Sequence, residues 1–279
     1  MRWFEKTDAE SYYGGAKSVA AYNRSVTDRR TKHPYQKQEY SEVVKDLEEV
    51  GFHIMKDVFS LDQTTSLKAE VDDMIDSRQN LKVDNAHWKV IDQPLFNCTK
   101  TAFEIATNKI IKNIASEFFR CTPAIGTLNL RKSLVNDLPE DTTNFFHVDP
   151  NSVKFLKFFI YLNDVSCPAD GPLTLIEGSH NSKFLGWKNK YRWTEKEIIK
   201  IYGEEKMRHM LAKAGDLIVA RTTAFHRGTK VTSKDRYMYT INYVIHPEEF
   251  KQPSFKVRSE YLNLLPKEDK PILDFLIKT

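Results

Sequence analysis

Apolar residues recur at helical spacing through the first 120 positions of the chain and at strand spacing after that. Val43, Val44, Leu47 and Val50 share one face of a helix that Ser41 can cap, and Gly51 stands where a left-handed C-terminal residue is wanted. Ser60 precedes a second helix over 61–77, with Leu67, Val71, Met74 and Ile75 on one face. A third, over about 102–120, carries Ile105, Ile110, Ile111, Ile114 and Phe118 and stops before Pro123. Residues 1–40 are polar, without clear periodicity, and read as an irregular arm or lid.

From residue 125 the period shortens to two. Segments 125–131, 153–162 and 237–244 alternate, while 172–176 and 216–220 are short apolar runs bounded by glycine. Many short strands with Gly and Asp at the turns predict a β-sandwich or small barrel. The capping box Thr194-x-x-Glu197 predicts one helix over 194–211, inserted between strands as a flap. The expected fold class is therefore mainly β with flanking helices. We expect one domain spanning 1–279: an N-terminal arm and supporting helices (1–124), a β core (125–250) with a helical flap (181–213), and a C-terminal extension (251–279).

Charge and composition narrow the function classes. Lys and Arg number 42 against 38 acidic residues, a net charge of +4 spread along the chain, so wholesale nucleic-acid binding is not indicated; a locally positive pocket for anionic substrates stays open. The N-terminus is charged rather than apolar, and no run approaches the ~20 apolar residues that span a bilayer, so a cytoplasmic protein that does not enter membranes is expected. Cys98, Cys121 and Cys167 are widely spaced and suggest free thiols. The apolar C-terminal residues suit packing on the barrel or on a partner equally, and the oligomeric state is not readable.

Candidate chemistry starts at 144–150, where His147 and Asp149 stand two apart in an extended, aromatic-rich segment and would project from one face of a strand. Chance alone supplies about half a His-x-Asp match in a chain of this composition, so the tripeptide needs partners. His226 offers a second imidazole. Two neutral imidazoles and a carboxylate suit iron(II) with positions left open for dioxygen, and an intact Asp149 favours oxygenation over halogenation. Arg236 opens a strand and offers a planar fork for a carboxylate. Each residue also has a plainer role: a strand histidine hydrogen-bonded on a half-buried face, or an arginine at a strand edge.

Four features occur together and in order: His147-Val148-Asp149, the strand 157–165, the turn 171–180 with Gly-Pro-Leu and Gly-Ser-His, and His226 followed by Arg236. On these residues the segment 125–245 resembles the phytanoyl-CoA dioxygenase-like family of Fe(II)/2-oxoglutarate oxygenases. The resemblance implies a double-stranded β-helix, a jelly-roll barrel of the cupin kind buttressed by the N-terminal helices. It implies that His147, Asp149 and His226 bind Fe(II), that Arg236 takes the carboxylate of 2-oxoglutarate, and that Asn129 and Phe159 touch this cosubstrate. The implied reaction uses O2 to hydroxylate an unactivated C–H bond of a small molecule while 2-oxoglutarate becomes succinate and CO2.

Two departures from the family pattern stand out. Gly228 occupies a position where some relatives carry a serine that helps hold the cosubstrate, and Glu177 replaces a proline before Gly-Ser-His. The resemblance gives His180 a structural role rather than a ligand role. The flap segment 184–193 alternates aromatic and cationic residues and could either cover an anionic or polar substrate or pack on the barrel as a lid. Alternatives are a non-catalytic jelly-roll binding protein, and desaturation or ring closure at the same iron site.

Overall fold

The alternating segments pair into two antiparallel sheets in a computed structural model that describes residues 16–35, 39–77, 81–91, 99–140, 142–149, 154–184, 189–245 and 257–276. The larger sheet runs, in spatial order, β1 (Phe52–Met55), β8 (Leu217–Ala220), β5 (Phe155–Tyr161), β10 (Arg236–Val244), β4 (Ala124–Ser133), β3 (Trp88–Ile91) and β2 (Leu81–Asp84). The smaller runs β7 (Met207–His209), β6 (Leu173–Ile176) and β9 (His226–Gly228).

Because side chains alternate across a strand, each residue's parity decides its layer. Leu128, Leu156, Phe158, Ile160, Tyr239, Ile241 and Tyr243 face outward and form one core with Leu47, Leu67, Phe103 and Ile114 of the helices. The opposite face of the same strands supplies Phe159, Tyr161, Ile218 and Met238, which pack with Leu173 and Leu175 of the small sheet. Burying a side chain the size of Phe158 or Leu47 contributes roughly 1.5–3 kcal/mol, so both layers hold the sheet from either side. The result is the expected class: mostly β, two sheets in a jelly-roll arrangement, with helices flanking one face.

The helices are α1 (Ala16–Lys32), α2 (Ser41–Glu49), α3 (Leu61–Asp76), α4 (Lys100–Ala106), α5 (Lys109–Phe119), α6 (Glu195–Tyr202) and α7 (Ser259–Leu262). Several expectations need correction. Part of the presumed irregular arm is α1, which tertiary contacts hold: Tyr22 enters the core, and buried Arg29 reaches the Thr122 and Pro271 carbonyls and Asp274. Ser41 is the first residue of α2 rather than its cap. The helix expected over 102–120 is two, because Asn108 accepts the Ile110 N–H and starts a new helix while Thr107 closes the old one on Phe103. The helix expected over 194–211 has its capping box but ends at Tyr202, before Gly203 with φ +86°; Met207–His209 then pair with β6 instead.

Strands β1, β2 and β3 lie in the stretch expected to hold only helices and arm. At the other end, Tyr261, Leu265, Ile272 and Leu276 are buried in the core shared by helices and sheet, so these C-terminal apolar residues pack within the chain, while Leu264 is exposed. Cys121 is buried and Cys167 exposed, both unbridged. Cys98, His246, Ile277 and positions 185–188 of the flap lie outside the described residues. No helix among the described residues is long and apolar enough to cross a membrane.

Candidate active site

The His-x-Asp segment was expected on a regular strand; it is extended but held by isolated bridges, directly after a 3-10 turn at Thr142–Asn144. On one side Phe146 exchanges both backbone hydrogen bonds with Trp193, at 2.8 and 2.9 Å. On the other, His147 exchanges both with His226, each 2.9 Å, and the Asp149 N–H reaches the Thr222 carbonyl at 3.0 Å. Directly paired residues of antiparallel segments face the same way, so the two imidazoles converge, with ring centroids 4.3 Å apart. Nε2 of His147 lies 3.8 Å from Oδ1 of Asp149, and Nε2 of His226 lies 3.2 Å from its Oδ2. One ligand-type atom from each of the three residues falls within 4.8 Å of the others.

Both histidines are held in the same way through Nδ1. Nδ1 of His147 lies 3.0 Å from the Phe145 carbonyl, and Nδ1 of His226 lies 3.0 Å from that of Ala224. A carbonyl only accepts, so each Nδ1 donates its N–H there and each Nε2 is the ring nitrogen turned toward Asp149. Burial pushes His147 down to about 3, with His226 adding to the effect, so its imidazole is neutral near pH 7. Burial alone would raise Asp149, but the Lys157 ammonium and the His226 side chain hold its carboxyl well below the usual range. Two imidazole Nε2 atoms and one carboxylate, converging on one point, are a donor set that fits a divalent transition metal.

The Gly-Ser-His turn braces this cluster. Ser179 Oγ accepts the Phe225 N–H at 2.9 Å, one residue before His226, and donates to the Ile176 carbonyl at 2.7 Å. Lys183 bridges the Ser179 and Thr223 carbonyls. His180 Nε2 lies 3.0 Å from the Glu48 carbonyl at the end of α2, tying the turn to the helical layer rather than joining the cluster.

Arg236 begins β10 on its inward face. It is 2 % exposed, donates to the Gly171 carbonyl and, at 2.9 Å, to Ser133 Oγ, and leaves Nε buried without a partner. Among the described residues no carboxylate pairs with it. A Cβ placed on Gly228 would sit 3.7 Å from its Nη2, so the guanidinium lies alongside the strand that carries His226. Ser133, Asn144, Gly228, Val231 and Arg236 share the lining of one cavity there. A buried cation with an orphaned donor beside a cavity is suited to an anionic ligand.

The sequence profile of the phytanoyl-CoA dioxygenase family (PhyH) matches residues 47–238. The chain belongs to the phytanoyl-CoA dioxygenase family. Among solved structures it is similar to HygX from Streptomyces hygroscopicus, determined with nickel, 2-oxoglutarate and hygromycin B (TM-score 0.57, 14% identity, 73% of this chain and 86% of that one). It is also similar to the epimerase SnoN in complex with Fe3+, alpha ketoglutarate and nogalamycin RO (TM-score 0.58, 16% identity, 73% and 82%). A third is the carbocyclase SnoK from nogalamycin biosynthesis (TM-score 0.52, 14% identity, 73% and 83%). At these identities the likeness is one of fold. No curated protein matches the chain.

For this PhyH-family chain, register places the two remaining expected residues. Asn129 pairs with Thr240, which pairs with Phe159, which pairs with Ile218, so all four form one inward-facing row across β4, β10, β5 and β8. Phe159 is buried there, and Asn129 is half-buried. The next row contains a residue that sequence reasoning passed over. Lys157, between Asn242 and Ala220, donates to Oδ2 of Asp149 at 2.6 Å. The available signal was parity: Lys157 shares the inward face with Phe159 and Tyr161, where a lysine needs a partner.

Proposed function

We propose that this protein is an iron(II)- and 2-oxoglutarate-dependent oxygenase that hydroxylates an unactivated C–H bond of a small molecule. One observation carries the reading: a His–Asp–His cluster whose two rings are held through Nδ1 stands in the same fold as a buried arginine lacking any anionic partner among the described residues. His147 and His226 would hold iron through Nε2, and Asp149 through a carboxylate oxygen. Arg236 would take the distal carboxylate of 2-oxoglutarate, and the Asn129–Phe159 row would line its path. Bound iron, 2-oxoglutarate and O2 would supply the oxidation, with succinate and CO2 released.

The chain's own contribution is placement. Phe145 and Ala224 carbonyls fix the imidazoles, Ser179 fixes the segment before His226, and the apolar layer of Phe159, Tyr161 and Met238 keeps water from the barrel interior. Family membership supports the reaction class, and the small molecules bound to HygX and SnoN support a small-molecule substrate. The Lys157–Asp149 ion pair favours a second reading, a binding protein whose site closes without metal.

Anaerobic addition of Fe(II) and 2-oxoglutarate separates the two. The oxygenase gives a weak visible charge-transfer band that disappears in His147→Ala; a band intact in that variant rejects the metal assignment. Succinate formation together with a product heavier by one oxygen in a metabolite extract establishes hydroxylation, whereas loss of two hydrogens would indicate desaturation or ring closure.

A further inference from the structure

Two arginines flank the His147 segment, and the register sends them to opposite faces. Phe146 pairs with Trp193 on one side, and His147 pairs with His226 on the other. Continuing each pairing by one residue sets Arg227 against Phe146 and Arg192 against His147. The side chains agree. Arg227 lies over the Phe146 ring at 4.8 Å and is neutralised by Glu195, while Trp193 and Phe146 join Phe225 and Phe184 in a small apolar cluster. That face belongs to the flap. Arg192 is therefore on the other face, in line with His147 and His226, and its charge adds to the burial that keeps His147 neutral.

Arg192 lacks what Arg227 has. Among the described residues no carboxylate pairs with it, and its buried Nη1 has no hydrogen-bond partner. Its one described contact is with the ring of its neighbour Tyr191, at 4.6 Å. The local charge sharpens the point. If iron and dianionic 2-oxoglutarate cancel, Lys157, Arg192 and Arg236 remain against Asp149, an excess of two positive charges, with Arg236 buried and Arg192 half-buried with its Nη1 out of reach of water. Unpaired buried charge is costly, and a ligand that brings an anion relieves it.

We propose that Arg192 binds an oxyanion of the primary substrate, a carboxylate or phosphoryl group, beside His147; this rests on the iron and 2-oxoglutarate reading of the site. The fork fixes the substrate by its charged end and leaves the remainder of the molecule over the metal position. Arg192 is thus a substrate-binding residue in the segment leading into α6. Glu195, in the first turn of α6, anchors that segment to β9 through Arg227.

The test uses the full chain loaded with Co(II) and 2-oxoglutarate, so that Arg236 and the metal are engaged, and two probes: methylphosphonate, read by 31P relaxation, and propionate, read by 1H relaxation. The Zn(II)-loaded protein supplies the diamagnetic reference. In the wild type at least one probe should relax strongly through the nearby paramagnetic metal. Its binding should weaken at least about tenfold in Arg192→Gln, the order expected for a lost charge-assisted hydrogen bond, recover in part in Arg192→Lys, and persist in Arg208→Gln, which removes an exposed cation paired with Glu177. The probe with the larger Arg192-dependent effect identifies the phosphoryl or the carboxylate source. Equal relaxation in wild type and Arg192→Gln, or none in the wild type while the Co(II)–2-oxoglutarate spectrum is intact, overturns the proposal alone. Absence of that spectrum in the wild type overturns the metal-site reading beneath it.

Discussion

Lys157 Nζ lies 2.6 Å from Oδ2 of Asp149, the same oxygen that stands 3.2 Å from Nε2 of His226. Both partners of the ion pair are largely buried, at 14% and 15% side-chain exposure, so neither charge is compensated by water if the other is removed. Lys157→Met should cost the metal-free protein roughly 3 kcal/mol, in the range for breaking a buried pair. It should also remove a cation that repels a divalent ion. Thermal melting with and without Co(II) checks both effects: the variant should melt lower than wild type without metal, and its gain in Tm on adding metal should exceed that of the wild type. Equal gains would mean that Lys157 does not oppose metal binding at Asp149.

Ser179 reaches the cluster only through the backbone. Its hydroxyl accepts the buried Phe225 N–H and donates to the Ile176 carbonyl, joining the Gly-Ser-His turn to the strand of His226. Ser179→Ala strands that N–H and should cost about 1–3 kcal/mol. Metal affinity should fall as well, because the peptide that aims His226 loses its tether. Chemical denaturation and a metal titration measure the two quantities separately. A stability loss with unchanged metal affinity would restrict Ser179 to the fold.

The two glycines near Arg236 should respond in opposite ways. Gly171 has φ +72°, and a Cβ there would meet Val231 Cγ1 at 2.4 Å and the Thr229 carbonyl at 2.8 Å, so Gly171→Ala is both strained and crowded. It should lose about 1–3 kcal/mol and shift the carbonyl that Arg236 grips. Gly228 has no such strain, and a Cβ would find Arg236 Nη2 at 3.7 Å and the Thr143 carbonyl at 3.9 Å, ordinary contact distances. Gly228→Ser should fold within about 1 kcal/mol of wild type and place a hydroxyl beside Arg236, tightening 2-oxoglutarate binding. A weaker 2-oxoglutarate titration in Gly228→Ser would contradict the assigned location of the carboxylate.

What could be read from the sequence follows the range of each interaction. His147 and Asp149 are two residues apart, and the Gly-Ser-His turn is local, so their pattern survives in one dimension. Segments 125–131, 153–162 and 237–244 are legible as strands and form β4, β5 and β10, which lie side by side in the larger sheet. Lys157 was hidden because its strand is apolar on both faces, and its partner is fixed only when two segments meet. Strands β1 and β3 are four residues long and owe their conformation to β8 and β4. The tail of the expected flap helix became β7 because Gly203 stopped the helix and an open edge of β6 was nearby. Local propensity yields to tertiary pairing in such short segments.

His180 carries a pH dependence that does not involve the metal cluster. Burial pushes its pKa down to about 3, with the Arg221 guanidinium adding to the effect, while the unfolded chain protonates near the ordinary value of 6.5. A depressed histidine pKa favours folding above pH 6.5. Below that the unfolded state takes up a proton that the native state refuses, so stability declines as pH falls from about 6.5 towards 3. The slope from this one residue approaches about 1.4 kcal/mol per pH unit. Gly51 leaves little freedom to relieve it, since its Cβ position is 2.8 Å from His180 Nδ1 and the ring is confined between the turn and α2. Replacing the ring in His180→Asn removes the titrating group, so urea unfolding at pH 7 and pH 5 should show a smaller drop in the variant than in the wild type. The same drop in both would assign the acid sensitivity to other groups and leave His180 without a part in it.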